Sequence, residues 1–216
     1  MLKNFSDTLE IKLFIQTEEK IMSLNETKID LLKDLGLDEN ENFPNLEIMS
    51  DGETKFLRDL RINLKNTLGS ENLYLKEAYL IALAIAVNEG NKILSNAFIN
   101  HAKLNGANEA EIAEAHACAS TLAVNNVFYR FKHFIKSSNE NYQSMPAGIK
   151  MNIMMNPVLG KELFELMSLA VSAVNGCESC VNSHEESVRK YGSSEARIFD
   201  AIRLASIIRG LCVALN

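Results

Sequence analysis

The chain has 216 residues, 47% of them hydrophobic and 23% charged, with 10 glycines and 3 prolines. This is the composition of a folded globular chain, and so few turn-formers point to helices rather than to a sandwich or barrel of short strands. A formal net charge of −6 gives no general electrostatic footprint for nucleic acid.

Taken in chain order, residues 1–50 are the most polar part. Residues 9–16 and 28–35 carry helical patterns, Gly36 is placed to end the second, and residues 38–44 read as an acidic turn. We expect residues 1–54 to form a helical extension ahead of a domain over 55–216. From Asp59 onwards the pattern is helical nearly throughout. Residues 75–89 are almost apolar on all sides, the mark of a buried helix. The apolar run within them, residues 78–87, is about half the ~20 residues needed to span a bilayer. With no secretory pattern at Met1 and only four cysteines, a reducing, cytoplasmic setting without a membrane partner is the expectation. Gly90 interrupts the helix, residues 92–104 form an amphipathic one that stops at Asn105-Gly106, and residues 108–134 run long from an acidic start. Met145-Pro146 breaks the pattern, Pro157 and Gly160 frame a link, and three further helical runs reach Asn216.

The halves repeat. Shifted by 86 positions, Leu80 to Gly90 faces Leu166 to Gly176, Gly106 faces Gly192, Glu109 faces Glu195 and Ile112 faces Ile198. We expect two related helical units sharing one core, over about 70–140 and 156–216. They differ at the first glycine break, where Cys177-Glu-Ser-Cys180 stands opposite Asn91-Lys-Ile-Leu94.

That break holds the candidate site. On a helix starting near Gly176, Cys177, Cys180 and His184 share one face. Two thiols a turn apart can close a small disulfide ring, and a thiolate near a helix start is favoured by the dipole. A histidine one turn on can exchange the thiol proton near neutral pH. Glu165 lies alone on the preceding apolar run, which a reversal at Asn175-Gly176 would bring alongside. There it could orient His184 and raise its basicity. Three other readings compete. A zinc site lacks an evident fourth ligand. Haem attachment needs His directly after the second cysteine, where Val181 stands. The cysteines could also be buried small hydrophobes. His116, Cys118 and Cys212 read as packing or interface residues, His101 as solvated or helix-terminal, and Tyr129 with His133 as a pair near a subunit boundary.

The run Glu165…Cys177-x-x-Cys180-x-x-x-His184 resembles the signature of the AhpD-like proteins, within the carboxymuconolactone decarboxylase family. The stretch Asn125-Asn-Val-Phe-Tyr-Arg-Phe-Lys-His-Phe is similar to that family's close of its first repeat. Met151-Asn-Ile-Met-Met-Asn-Pro, followed by Phe164-Glu-Leu, is similar to its approach to the site. The likeness covers roughly residues 55–216. It implies an all-α fold of two helical repeats, usually trimeric, and a thiol-disulfide oxidoreductase or peroxidase in antioxidant defence with no metal or resident cofactor. It also implies a peroxiredoxin partner, and a dihydrolipoyl group (dihydrolipoamide on a lipoylated acyltransferase) as reductant. By the same resemblance Cys180 is the accessible reactive thiol, Cys177 its disulfide partner, and His184 with Glu165 the proton relay. Some members carry a second histidine where this chain has Ser179, which puts proton delivery to Cys177 in question. The rival reading is a non-catalytic redox-sensing or metal-binding oligomer.

Overall fold

A computed structural model describes residues 26–216, and all the regular structure among them is helical. The helix expected at 9–16 lies outside the described residues. Helix α1 covers 26–34, and α2 (Pro44–Asp51) and α3 (Phe56–Leu68) follow. Then come α4 (Leu75–Asn88), α5 (Lys92–Leu104), α6 (Glu109–Ile135) and the short α7 (Asn141–Ser144). A 3-10 turn at Asn152–Met154 leads to α8 (Lys161–Val174), α9 (Glu178–Lys190) and α10 (Glu195–Ala214).

The fold is all-α, and its second part repeats its first. Helices α4, α5 and the start of α6 map onto α8, α9 and the start of α10 by one shift of 86 positions: Leu75 to Lys161, Lys92 to Glu178, Glu109 to Glu195. The backbone takes the same turn at the first break of the two copies. Gly90 and Gly176 take the left-handed conformation (φ 71° and 65°), which a residue with a Cβ adopts at a cost. Asn91 N–H then donates to Ala86 O at 3.0 Å, as Cys177 N–H donates to Ser172 O at 3.1 Å. These bonds fix the direction in which the second helix of each repeat sets off.

Helices α4 and α8 pack on each other, and each also packs on α6 and α10. Every residue from Ala78 to Ala86 is buried, which is why α4 shows no polar stripe. Burying side chains such as Leu80, Leu83 and Ile85 stabilises the fold by about 1.5–3 kcal/mol each. Polar contacts follow the repeat as well. Lys76 pairs with Glu111 at 2.8 Å, and at the equivalent positions Glu162 pairs with Arg197 at 2.8 Å, with the charges exchanged. Asp200 holds Ser70 Oγ and Asn72 Nδ2 (2.6 and 2.7 Å) just before α4. Its counterpart Glu114 accepts from the backbone N–H groups of Val158 and Leu159 (2.7 and 2.6 Å) just before α8. The third helix of each repeat thus holds the approach to the first helix of the other.

Helices α1 and α2 join the same core through Leu31, Leu32, Leu35, Phe43 and Leu46. His101 lies in the last turn of α5, helix-terminal as expected, and is half-buried. Its ring stacks on Tyr79 with centroids 4.7 Å apart, and its Nε2 meets the Leu35 carbonyl, at the end of α1, at 3.1 Å.

Candidate active site

The site forms where α8 turns into α9. Helix α9 begins at Glu178, with Cys177 as its N-cap residue. Cys180 and His184, one turn apart, therefore share the face of α9 that is turned inwards, and both are buried. Cys177 and Cys180 are joined by a disulfide, with Cα atoms 5.3 Å apart. Cys177 is wholly enclosed, whereas Cys180 lines an open pocket of about 320 Å³ together with His184. Across from α9, Glu165 Oε2 of α8 lies 2.6 Å from His184 Nδ1. A proton on Nδ1 donates to that carboxylate and leaves Nε2 to exchange a proton with a reacting group. The structure thus brings together all four residues singled out in the sequence: two sulfurs, an imidazole and a carboxylate that orients it.

The turn ahead of Cys177 is held by a partly buried amide network. Asn175 and Asn88 exchange side-chain hydrogen bonds (2.9 and 3.1 Å), and Asn175 Nδ2 also donates to Asn126 Oδ1 at 2.9 Å. Asn126 Nδ2 donates to Ser172 Oγ at 3.0 Å, and Arg130 donates to the Asn175 carbonyl at 2.6 Å. Such a network leaves the backbone at 175–177 one favoured arrangement.

Helix α6 departs from the repeat in a way that completes the pocket. It has 27 residues where α10 has 20, so residues 129–135 extend beyond the length that the two helices share. This overhang runs beside α9. Tyr129 lines the pocket, and His133 Nε2 lies 3.4 Å from Glu178 Oε2. The remaining pocket wall is Asn125, Met151, Met154, Ser179 and Ser183. Asn125 Nδ2 donates to Met151 Sδ at 3.1 Å. The resemblance marks both segments, but no spacing in the sequence assigns Asn125, Met151 or Met154 to the pocket, because the loop carrying the methionines is placed by Glu114 from far along the chain.

The other cysteines lie apart from the disulfide. Burial pushes the thiols of Cys118 and Cys212 up to about 12, and Cys118 sits against Ser168 Oγ at 3.5 Å. Neither is a thiolate near neutral pH. His116 borders a separate shallow pocket with Lys92 and Ser95. Among the described residues no group of three His, Cys, Asp or Glu side chains is arranged to hold a metal ion, and no helix is long and apolar enough to cross a membrane.

Known proteins match the chain closely. It is 38% identical over 162 residues to the alkyl hydroperoxide reductase AhpD of Brucella canis, which spans 74% of this chain and 90% of that protein. The same-named protein of Rhodopseudomonas palustris is 41% identical over 161 residues, 74% of this chain and 87% of its own. That of a Bradyrhizobium species is 36% identical over 173 residues, 79% of this chain and 93% of its own. This chain belongs to the AhpD family. The profile of the carboxymuconolactone decarboxylase family matches residues 140–216, the span that holds α8, α9 and α10. Within an AhpD-family chain, the second repeat therefore carries the disulfide, the imidazole and the carboxylate. The first repeat contributes the α6 overhang and the amides that hold the turn.

Proposed function

We infer that the protein is a dithiol–disulfide oxidoreductase of the alkyl hydroperoxide reductase type, acting in antioxidant defence. The observation that carries this reading is the disulfide at the base of an open pocket, with Cys180 and the Glu165-oriented His184 both in the pocket wall. Cys180 is the sulfur that meets the partner, Cys177 closes the disulfide, and His184 takes or returns the proton at Nε2. The electrons pass to a hydroperoxide or to the disulfide of a peroxiredoxin partner. A dihydrolipoyl group on a lipoylated acyltransferase restores the dithiol in the cytoplasm, and the protein needs no resident cofactor. The names of its relatives and the resemblance of its motif support this choice.

The same reading makes it a homo-oligomer, with a trimer favoured. Val124, Val127, Phe131 and Phe134 follow one another along the outer face of α6 and are all exposed. An apolar stripe of this size next to the pocket supports a subunit contact there.

The test is turnover of cumene hydroperoxide with dihydrolipoamide as the electron source. The reading expects turnover by the wild type and none by Cys180→Ser. A wild type that consumes no hydroperoxide and reduces no peroxiredoxin disulfide, yet holds zinc tightly through both thiols, would overturn it in favour of a metal-binding module.

A further inference from the structure

The wholly buried Cys177 sulfur poses a problem that the pocket does not solve. When an incoming thiolate attacks Cys180 Sγ, a new S–S bond forms to Cys180. The Cys177–Cys180 bond breaks with its electron pair on Cys177 Sγ. This anion appears where water does not reach, and a buried anion is costly without donors. Two observations point to what receives it. Ser179 Oγ lies 3.7 Å from Cys177 Sγ, within reach of an O–H···S hydrogen bond. The second comes from the first repeat. Asn91, the N-cap counterpart of Cys177, accepts from Leu94 N–H at 2.9 Å through its side-chain oxygen. Leu94 is the counterpart of Cys180, and the disulfide form gives α9 no side-chain cap.

We propose that Ser179 is a further catalytic residue: its hydroxyl, with the Cys180 amide N–H, holds the Cys177 sulfur as an N-cap thiolate each time the disulfide opens. This rests on the oxidoreductase reading above and adds the fate of the leaving sulfur. A serine hydroxyl does not titrate in the working range, so it stabilises the thiolate by donating a hydrogen bond and does not protonate it. A better-stabilised leaving thiolate departs faster. The charged groups around this end of α9 are Arg130 and His133 from α6, Glu165 from α8, and Glu178 and His184 from α9 itself. The test leaves all of them unchanged.

The experiment follows thiolate absorbance near 240 nm against pH in reduced Cys180→Ser, where Cys177 is the remaining site thiol and the thiols of Cys118 and Cys212, at about 12, stay silent. Adding Ser179→Ala should raise the Cys177 midpoint, and Ser179→Thr should restore it. In the chain with both site cysteines intact, Ser179→Ala should slow opening of the disulfide by dithiothreitol about three- to tenfold, the range of one ordinary hydrogen bond, because the leaving sulfur carries only part of its charge in the transition state. Identical titrations with and without the Ser179→Ala substitution would overturn the proposal. Failure of the wild type to turn over hydroperoxide would instead count against the oxidoreductase reading, while the Cys177 titration would still decide the role of Ser179.

Discussion

Glu165 and His184 stand where Tyr79 and Phe98 stand in the first repeat. A contact of 2.6 Å between carboxylate and imidazole on one side of the fold replaces two rings with centroids 6.4 Å apart on the other. The packing position is shared and the chemistry occupies one copy. In the first repeat these positions supply apolar area. In the second they supply an imidazole and the carboxylate bonded to it.

Glu165→Gln keeps the shape and removes the charge. His184 then loses the charged partner that orients its ring and fixes its tautomer. We expect alkylation of reduced Cys180 by iodoacetamide to slow, its pH profile to move to higher pH, and hydroperoxide turnover to fall by about 10²-fold or more. Far-ultraviolet circular dichroism should be unchanged. An unaltered pH profile would show that the carboxylate plays no part.

The two cysteines should fail differently. Cys180→Ser removes the sulfur in the pocket and should abolish turnover. Cys177→Ser leaves Cys180 without its disulfide partner, so the protein should accumulate as a mixed disulfide on Cys180, visible as added mass. Faster alkylation of Cys177 than of Cys180 at neutral pH would reverse the assignment.

Much of this was legible in the sequence, for local reasons. Gly90 and Gly176 mark the same break because the chain needs a left-handed residue there. The acidic start at Glu109 and Glu111 marks where α6 begins, because negative charge suits a helix N-terminus. The Cys–Cys–His spacing places three side chains on one helical face, and a carboxylate inside the apolar run 163–171 asks for a buried partner. What the sequence hid depends on distance along the chain. Tyr129 faces the pocket because α6 overruns its repeat. Met151 and Met154 face it because Glu114 holds the loop after them. His101 meets Leu35, 66 positions away. No local pattern encodes any of these contacts.

The Glu114 clamp predicts a large stability effect. Both of its oxygens accept backbone N–H groups, and the residue is buried. Glu114→Ala strands two donors and should cost about 2–4 kcal/mol in urea denaturation. Glu114→Gln, which keeps one acceptor, should cost less. A shift below the error of the measurement would contradict the clamp.

The charge-exchanged ion pairs predict how acid acts. For Glu162, burial works against ionisation, but hydrogen bonds from Arg197 and Ser193 outweigh it and hold the carboxyl below its ordinary 4.5. Burial is likewise outweighed at Glu111, by Lys76 and the Asn108 N–H. Both pKa values are depressed on folding. Their stabilisation is therefore present above pH 4.5 and is lost as pH falls through the folded values. Arg197 also binds Glu77 at 2.8 Å. Arg197→Met should cost about 2–3 kcal/mol at pH 7 and progressively less below pH 4.5, measured by denaturation across pH. A cost independent of pH would contradict this account.

The apolar stripe on α6 predicts assembly. Phe131→Glu places a charge in the middle of Val124, Val127 and Phe134 and should lower the mass seen by light scattering to that of a monomer. A wild type that is monomeric at micromolar concentration would contradict the oligomer.

The most direct test of the central claim is a thiol count with peptide mapping through one cycle. Reduced protein is treated with one equivalent of hydroperoxide, then with dihydrolipoamide, and free thiols are alkylated and located by mass at each stage. The account predicts that two thiols disappear, that they are Cys177 and Cys180, that Cys118 and Cys212 stay free, and that dihydrolipoamide restores both. Loss of any other pair, or a disulfide that dihydrolipoamide does not reopen, would contradict it.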